Sequence, residues 1–226
     1  MRRSDPCAIP CLTFSVRAWL KLQYFCHAGS TEIAGFAISN PDRLLRVEDF
    51  LLVRQQSSLA YVDLDDQAVA DFFDRCVDTG LKPNQFSRIW CHTHPGDSAE
   101  PSGMDEETFE RCFGHCDWSV MFILARTGAT YARLRYRVGP GTSLQIPVRV
   151  DWSTWPAVLD ACPQGLAELH RMWKEEFEHN VQPLATEAEA IPWWDEPSFR
   201  RANIPDFDSF FEEPMHAFDP VFDYRP

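Results

Sequence analysis

Between residues 66 and 79 the apolar positions recur as Val69, Phe72, Phe73, Cys76 and Val77, the i, i+3, i+4, i+7, i+8 spacing of one helix face. Asp65 or Asp66 supplies a capping oxygen before this run, and Gly80 ends it. Residues 12–28, LTFSVRAWLKLQYFCHA, carry a less regular stripe at Val16, Trp19, Leu20, Phe25 and Cys26. With Ser15 as cap and Gly29 beyond, they predict a first helix. From Glu32 the pattern changes. EIAGFAIS, LLRVEDFLLVRQ and AYVDLD are rich in β-branched, aliphatic and aromatic residues between turn residues, which predicts strands. FSRIWCH reads as a buried strand, and a third helix is expected from about Gly103 to Cys116, with Phe109, Cys112, Phe113 and Cys116 on its apolar stripe. WSVMFILAR, ATYARLRYRV and SLQIPVRVDW predict three further strands, the first two joined by a Thr-Gly turn. A proline-interrupted helical segment then runs to about His179, with Leu166, Leu169, Trp173 and Phe177 at helical spacing.

Helices and strands therefore mix without strict βαβ alternation, the mark of an α/β (α+β) fold: a mixed sheet flanked by helices. We expect one domain over residues 1–152. Residues 153–226 form a C-terminal helix followed by an acidic, aromatic tail from about Gln182. Phe207, Phe210, Phe211, Phe218, Phe222 and Tyr224 are too many large apolar side chains to leave in water, so the tail is expected to pack on its own domain or on a partner.

Composition narrows the function. A chain of 226 residues, 45% hydrophobic, buries one substantial core. Its net charge of −13 opposes nucleic acids and anionic membranes and favours neutral or basic partners. No apolar run reaches 18 residues, and the opening MRRSDPCAIPCLTF lacks a signal-peptide core and cleavage site, so a cytoplasmic location is expected. The eight cysteines are scattered singly through apolar patterns, as reduced, mostly buried thiols would be.

The chemistry concentrates in residues 89–105, IWCHTHPGDSAEPSGMD. His92 and His94, two apart at a strand end, project to the same side and can reach one point. Asp105, at the start of a helix folded back over that strand end, offers an oxygen as third ligand. Three protein ligands and one open position are the pattern of a catalytic zinc site. Glu32 is the candidate general base, because a carboxylate there serves no packing purpose. Each part has a plainer reading: Ser102-x-x-Asp105 is also a helix start, and Glu32 a solvated strand-end acid.

Taken together, EIAGFAI at 32–38 and HTHPGDSAEPSGMD at 92–105 resemble the JAMM (JAB1/MPN+) zinc metalloprotease family in all five signature positions. The resemblance spans about residues 12–151, including the order of elements. It implies a JAMM/MPN-like, cytidine-deaminase-like fold, with zinc held by His92, His94 and Asp105. It further implies Glu32 as general acid/base and Ser102 as a partner of the substrate carbonyl and oxyanion. The reaction implied is hydrolysis of a peptide or isopeptide bond after the C-terminal glycine of a ubiquitin-like protein. Partners would be that protein or its conjugates and components of a ubiquitin-like conjugation pathway. Trp90-Cys91 departs from the family, in which a glycine and an aromatic often precede the histidine pair.

Two rivals stand beside this reading: a JAMM-like subunit acting mainly as a binding module, and an enzyme releasing an amino acid from a sulfur-carrier protein. A zinc deaminase would need H-x-E with C-x-x-C, which this histidine pair lacks, and no cysteine has a nucleophile's context. The CxxxC pairs Cys7/Cys11 and Cys112/Cys116 are read as ordinary thiols rather than a second metal site.

Overall fold

The computed structural model describes residues 9–155 and 166–184. A short strand β1 (Leu12–Ser15) leads into helix α1 (Val16–Ala28), so the single helix expected over 12–28 is split at Ser15. The expected cap is real: Ser15 Oγ accepts from Ala18 N at 3.2 Å. Leu12-Thr13-Phe14 precede it in extended form because they pair in parallel with two other strands, a tertiary demand that local periodicity does not carry. The chain continues through β2 (Ala34–Asn40), β3 (Arg43–Leu52), β4 (Gln55–Ser57) and β5 (Val62–Leu64). Helix α2 (Asp66–Asp78) is capped by Asp65 and followed by Gly80 at φ 85°. Its Phe72 and Cys76 are buried, whereas Val77, expected on the apolar face, is exposed.

A short helix α3 (Pro83–Phe86) was not foreseen. Beyond it come β6 (Ile89–His94), α4 (Gly103–Phe113), β7 (Trp118–Ala125) and β8 (Thr130–Tyr136). Helix α4 stops at Phe113 rather than Cys116. Cys112, placed on its apolar stripe from spacing, is exposed and Cys116 only half-buried. Buried thiols are found at Cys26, Cys76 and Cys91, while Cys7 and Cys162 lie outside the described residues.

SLQIPVRVDW, expected as one strand, is two: β9 (Thr142–Gln145) and β10 (Val148–Asp151). The proline at 147 cannot donate to a ladder, and the chain crosses there from one end of the sheet to the other. Strand order is β10-β1-β3-β2-β6-β7-β8-β9, so strands adjacent in sequence hold the two ends of an eight-stranded mixed sheet that curls to bring them near. Helix α5 (Leu166–Asn180) and strand β11 (Val181–Pro183) close the described chain. Strand β11 joins β4 and β5 in a separate three-stranded sheet. Residues 182 and 183, read as the start of an irregular tail, thus form part of a strand; the remainder of that tail lies outside the described residues.

Side-chain alternation divides the large sheet's burial. On one face Phe14, Phe50 and Phe122 pack beneath α1, with Phe25 of that helix against Phe50. On the other, Phe36 stacks on Phe72 of α2 at 5.2 Å, and Trp90, Met121 and Ile123 join Phe86, Phe109 and Phe113 in one cluster. Gly35 permits the close approach of β2 to β3: a Cβ there would lie 2.4 Å from the Leu51 carbonyl oxygen. Helix α5 is fastened to α1 and β3 by Lys21, a buried cation whose Nζ lies 2.7 Å from Glu176 and 3.3 Å from Asp49. Among the described residues no helix is long and apolar enough to cross a membrane.

Candidate metal centre

Because Trp90, His92 and His94 alternate on β6 with Cys91 and Thr93, the imidazoles share the face covered by α4. Trp90 stacks on the His92 ring at 4.3 Å between centroids. Helix α4 begins over the end of β6 through a reciprocal cap. Ser102 Oγ accepts from Asp105 N at 3.2 Å, and Asp105 Oδ2 accepts from Ser102 N at 2.6 Å. The cap turns the Asp105 carboxylate back toward the strand. Its Oδ1 lies 3.1 Å from His92 Nε2 and its Oδ2 3.5 Å from His94 Nε2.

Glu32 arrives from a third direction. It precedes β2 instead of starting it, and its backbone N–H donates to the Ser58 carbonyl at 2.8 Å. Its Oε1 is 3.9 Å from His94 Nε2. The following residues are held from two sides. Ile33 N donates to Thr93 Oγ1 on β6, and the Gln55 side-chain amide bonds both Ala34 N and Ala34 O at 2.8 Å. The structure therefore brings Glu32, His92, His94 and Asp105 together, with Ser102 beside them as the cap of α4. Sequence reasoning missed the supports: the Trp90 ring, Gln55 and the carbonyls of Ser58 and Ser98. Trp90 shares the parity of His92 and was open to inspection; backbone carbonyls have no residue signature.

One ligand atom from each of His92, His94 and Asp105 lies within 4.8 Å of the others, and His92 and Asp105 are buried. Both nitrogens of His92 and Nε2 of His94 are buried without a hydrogen-bond partner. His92 Nε2 is close to Asp105 but not aligned for a hydrogen bond. Buried polar atoms left unpaired are costly, and a cation between them would satisfy His92 Nε2 and His94 Nε2 at once. His94 Nδ1 lies 2.9 Å from the Ser98 carbonyl oxygen, which favours the proton on Nδ1 and leaves Nε2 as the free lone pair. The two Asp105 oxygens lie 3.1 Å from His92 Nε2 and 3.5 Å from His94 Nε2, close enough for a small rotation of the carboxylate to bring one oxygen and both nitrogens around a single cation. The three residues can hold a metal ion.

The electrostatics of His92 and Asp105 agree with that use, while the raised His94 pKa makes a proton compete for its lone pair. Burial pushes the His92 pKa down and outweighs the nearby Asp105, so the ring is neutral, as a ligand must be. His94 is also desolvated, but its contacts with Asp105 and the Ser98 carbonyl raise its pKa on balance. Burial acts to raise the pKa of Asp105; the two imidazoles and Ser102 overcome it and hold the carboxyl well below the usual range. Glu32 moves the other way, pushed up by burial to about 7, with His94 opposing and Asp105 adding to the rise. Two carboxylates, with oxygens 3.9 and 3.5 Å from His94 Nε2, thus differ in proton affinity, one suited to exchange a proton and one to bind a cation.

Comparison of the chain with protein-family models and with curated proteins finds no match.

Proposed function

We propose that this protein is a zinc-dependent hydrolase of the JAMM type, cutting the peptide or isopeptide bond that follows the C-terminal glycine of a ubiquitin-like protein. The observation that carries the reading is the convergence of a strand end, a helix start and a pre-strand segment on one buried point, lined by imidazole nitrogens without partners. The order of elements, from α1 through the Glu32 segment, α2, the β6 histidines and α4 to the closing strands, supports the JAMM-like topology. The ubiquitin-like substrate rests on the motif resemblance.

Zinc suits two neutral imidazoles and a carboxylate with one position left open, and when bound it supplies a Lewis acid for the scissile carbonyl and makes water more acidic. The protein's own groups do the rest. Glu32, near the ligands yet not hydrogen-bonded to them, takes a proton from the attacking water and returns it to the leaving amine. Ser102 accepts the Asp105 N–H through a lone pair, so its exposed hydroxyl still has a proton to donate to the developing oxyanion. Ser98, through His94, and Trp90, through His92, fix the orientation of the two rings.

The test combines metal analysis of the full chain with cleavage of a panel of ubiquitin-like proteins carrying C-terminal fusions. One zinc per chain is expected, lost in the His92→Ala, His94→Ala double variant. Glu32→Gln should retain zinc and lose roughly 10²–10⁴-fold in turnover. Full zinc in the double variant, or normal turnover of Glu32→Gln, overturns the reading.

A further inference from the structure

Helix α4 carries Glu106 and Glu110, with its cap Gly114 four residues further on, and β8 carries Arg133 and Arg135, with Arg137 just past its end two residues further on. Four residues of helix rise about 6.0 Å and two of strand about 6.6–6.8 Å, so the two rows run nearly in step. The structure joins them rung by rung. Arg133 Nη1 and Nη2 donate to Glu106 Oε1 and Oε2 at 2.7 and 2.6 Å, a two-pronged bond. Arg135 Nη1 donates to Glu110 Oε2 at 2.6 Å, and Arg137 Nη1 to the Gly114 carbonyl. Phe109 lies between the first two rungs, its ring centroid 5.4 Å from the Arg133 guanidinium carbon and 4.5 Å from that of Arg135.

Packing of Phe109 and Phe113 near Trp90 decides which face of α4 turns inward. Apolar contact has no direction, however, and packing alone fixes the helix's axial position less sharply than hydrogen bonds of defined length do. A slip of one residue moves Asp105 by about 1.5 Å along that axis and swings it around the helix, whereas metal–ligand distances hold to within ~0.2 Å. Directional bonds have to set the axial position, and the strongest of them grips Glu106, the residue next to Asp105.

We propose that Arg133 and Arg135 are positioning residues for the metal site, a ratchet between β8 and α4 that sets the height of Asp105 against His92 and His94. This rests on the metal reading above. Glu110 is exposed and Glu106 half-exposed, but the Arg133 and Arg135 side chains are largely buried over Phe109, so the pairs contribute packing as well as position. The effect on metal affinity is the one a purely structural role would not produce.

The experiment titrates the full chain with Co²⁺, following the visible ligand-field spectrum, and measures the metal-free melting temperature. The Arg133→Gln, Arg135→Gln double variant should bind Co²⁺ roughly 10–100-fold more weakly with an altered spectrum, beyond what its lower melting temperature from lost arginine packing accounts for. Arg133→Lys keeps the charge but loses the fork, so it should also weaken binding, and it carries the test if the double variant fails to fold. Val47→Ala, buried on β3 away from α4, controls for stability: it should melt lower and bind Co²⁺ normally. Wild-type affinity and spectrum in the arginine variants overturn this inference alone. A wild-type chain that takes up no Co²⁺ removes the metal reading and this inference with it.

Discussion

Asp105 answers to two sets of partners at once: the Ser102 N–H that starts α4, and two imidazoles that share its oxygens. Asp105→Asn keeps a side chain that can accept the Ser102 N–H while removing the anionic ligand. We expect the helix to survive and metal affinity to fall by more than the 10–100-fold that changes outside the ligand set cost; circular dichroism and Co²⁺ titration separate the two effects. Ser102→Ala removes only the hydroxyl, because the bond to Asp105 Oδ2 comes from the backbone. It should cost about 1 kcal/mol in denaturant unfolding, and a fall in turnover beyond that loss would mark the hydroxyl's part in the reaction. These residues could be found in the sequence because each obeys a local rule. His92 and His94 share strand parity, and Ser102 and Asp105 occupy the two ends of a capping box. Nothing local to Glu32 reveals that the Ser58 carbonyl holds its N–H, because that contact depends on where a distant turn comes to rest.

Among the elements, the small sheet shapes the candidate acid/base more than its size suggests. Gln55 on β4 is buried and its amide spans the gap to β2, bonding Ala34 N and O and Val53 O. Gln55→Ala leaves those backbone groups without their partner in a buried place, so a loss of about 3 kcal/mol is expected from 1–3 kcal/mol per unsatisfied group, allowing for partial relaxation. Urea unfolding measures it. Helices α2 and α4 could be read from the sequence because one face of each meets a core and periodicity records it. Strand β1 could not, since its extended form comes from partners at residues 46–47 and 148–151. The division of residues 142–151 between two ends of the sheet was written in Pro147, yet proline marks only a break and not the destination. A C-terminal helix was expected beyond residue 152 and β11 was not; the Lys21–Glu176 pair ties that helix to α1, and the β11–β4 ladder ties the strand to the small sheet.

For the whole molecule, a metal that binds only the folded state adds its binding energy to folding. At free metal about a thousandfold above the dissociation constant the gain is about 4 kcal/mol, worth on the order of 10 °C in melting temperature for a chain of this size. Chelation should remove it, as scanning calorimetry can show. The gain should also shrink as pH falls: protons compete for ligand lone pairs, and His94, with its pKa raised, takes one earlier than an ordinary imidazole while His92 resists. Carboxylates act in the same direction. The Asp151 pKa is depressed by Ser153 and Arg46, so its contribution is complete above the unfolded-state value of about 3.9 and fades as pH drops through the lower folded value. The same region of chain carries a consequence in time. Leu12 pairs with Val148, so a ribosome releasing roughly 5–20 residues per second leaves that flank of β1 unmatched for on the order of 10 s. Until β10 emerges, the nascent sheet ends in a bare strand of aromatic and aliphatic residues. The last strand of the large sheet therefore acts as its stopper, and a defect at Pro147 would be felt first as clumping during synthesis, before any loss of the finished fold.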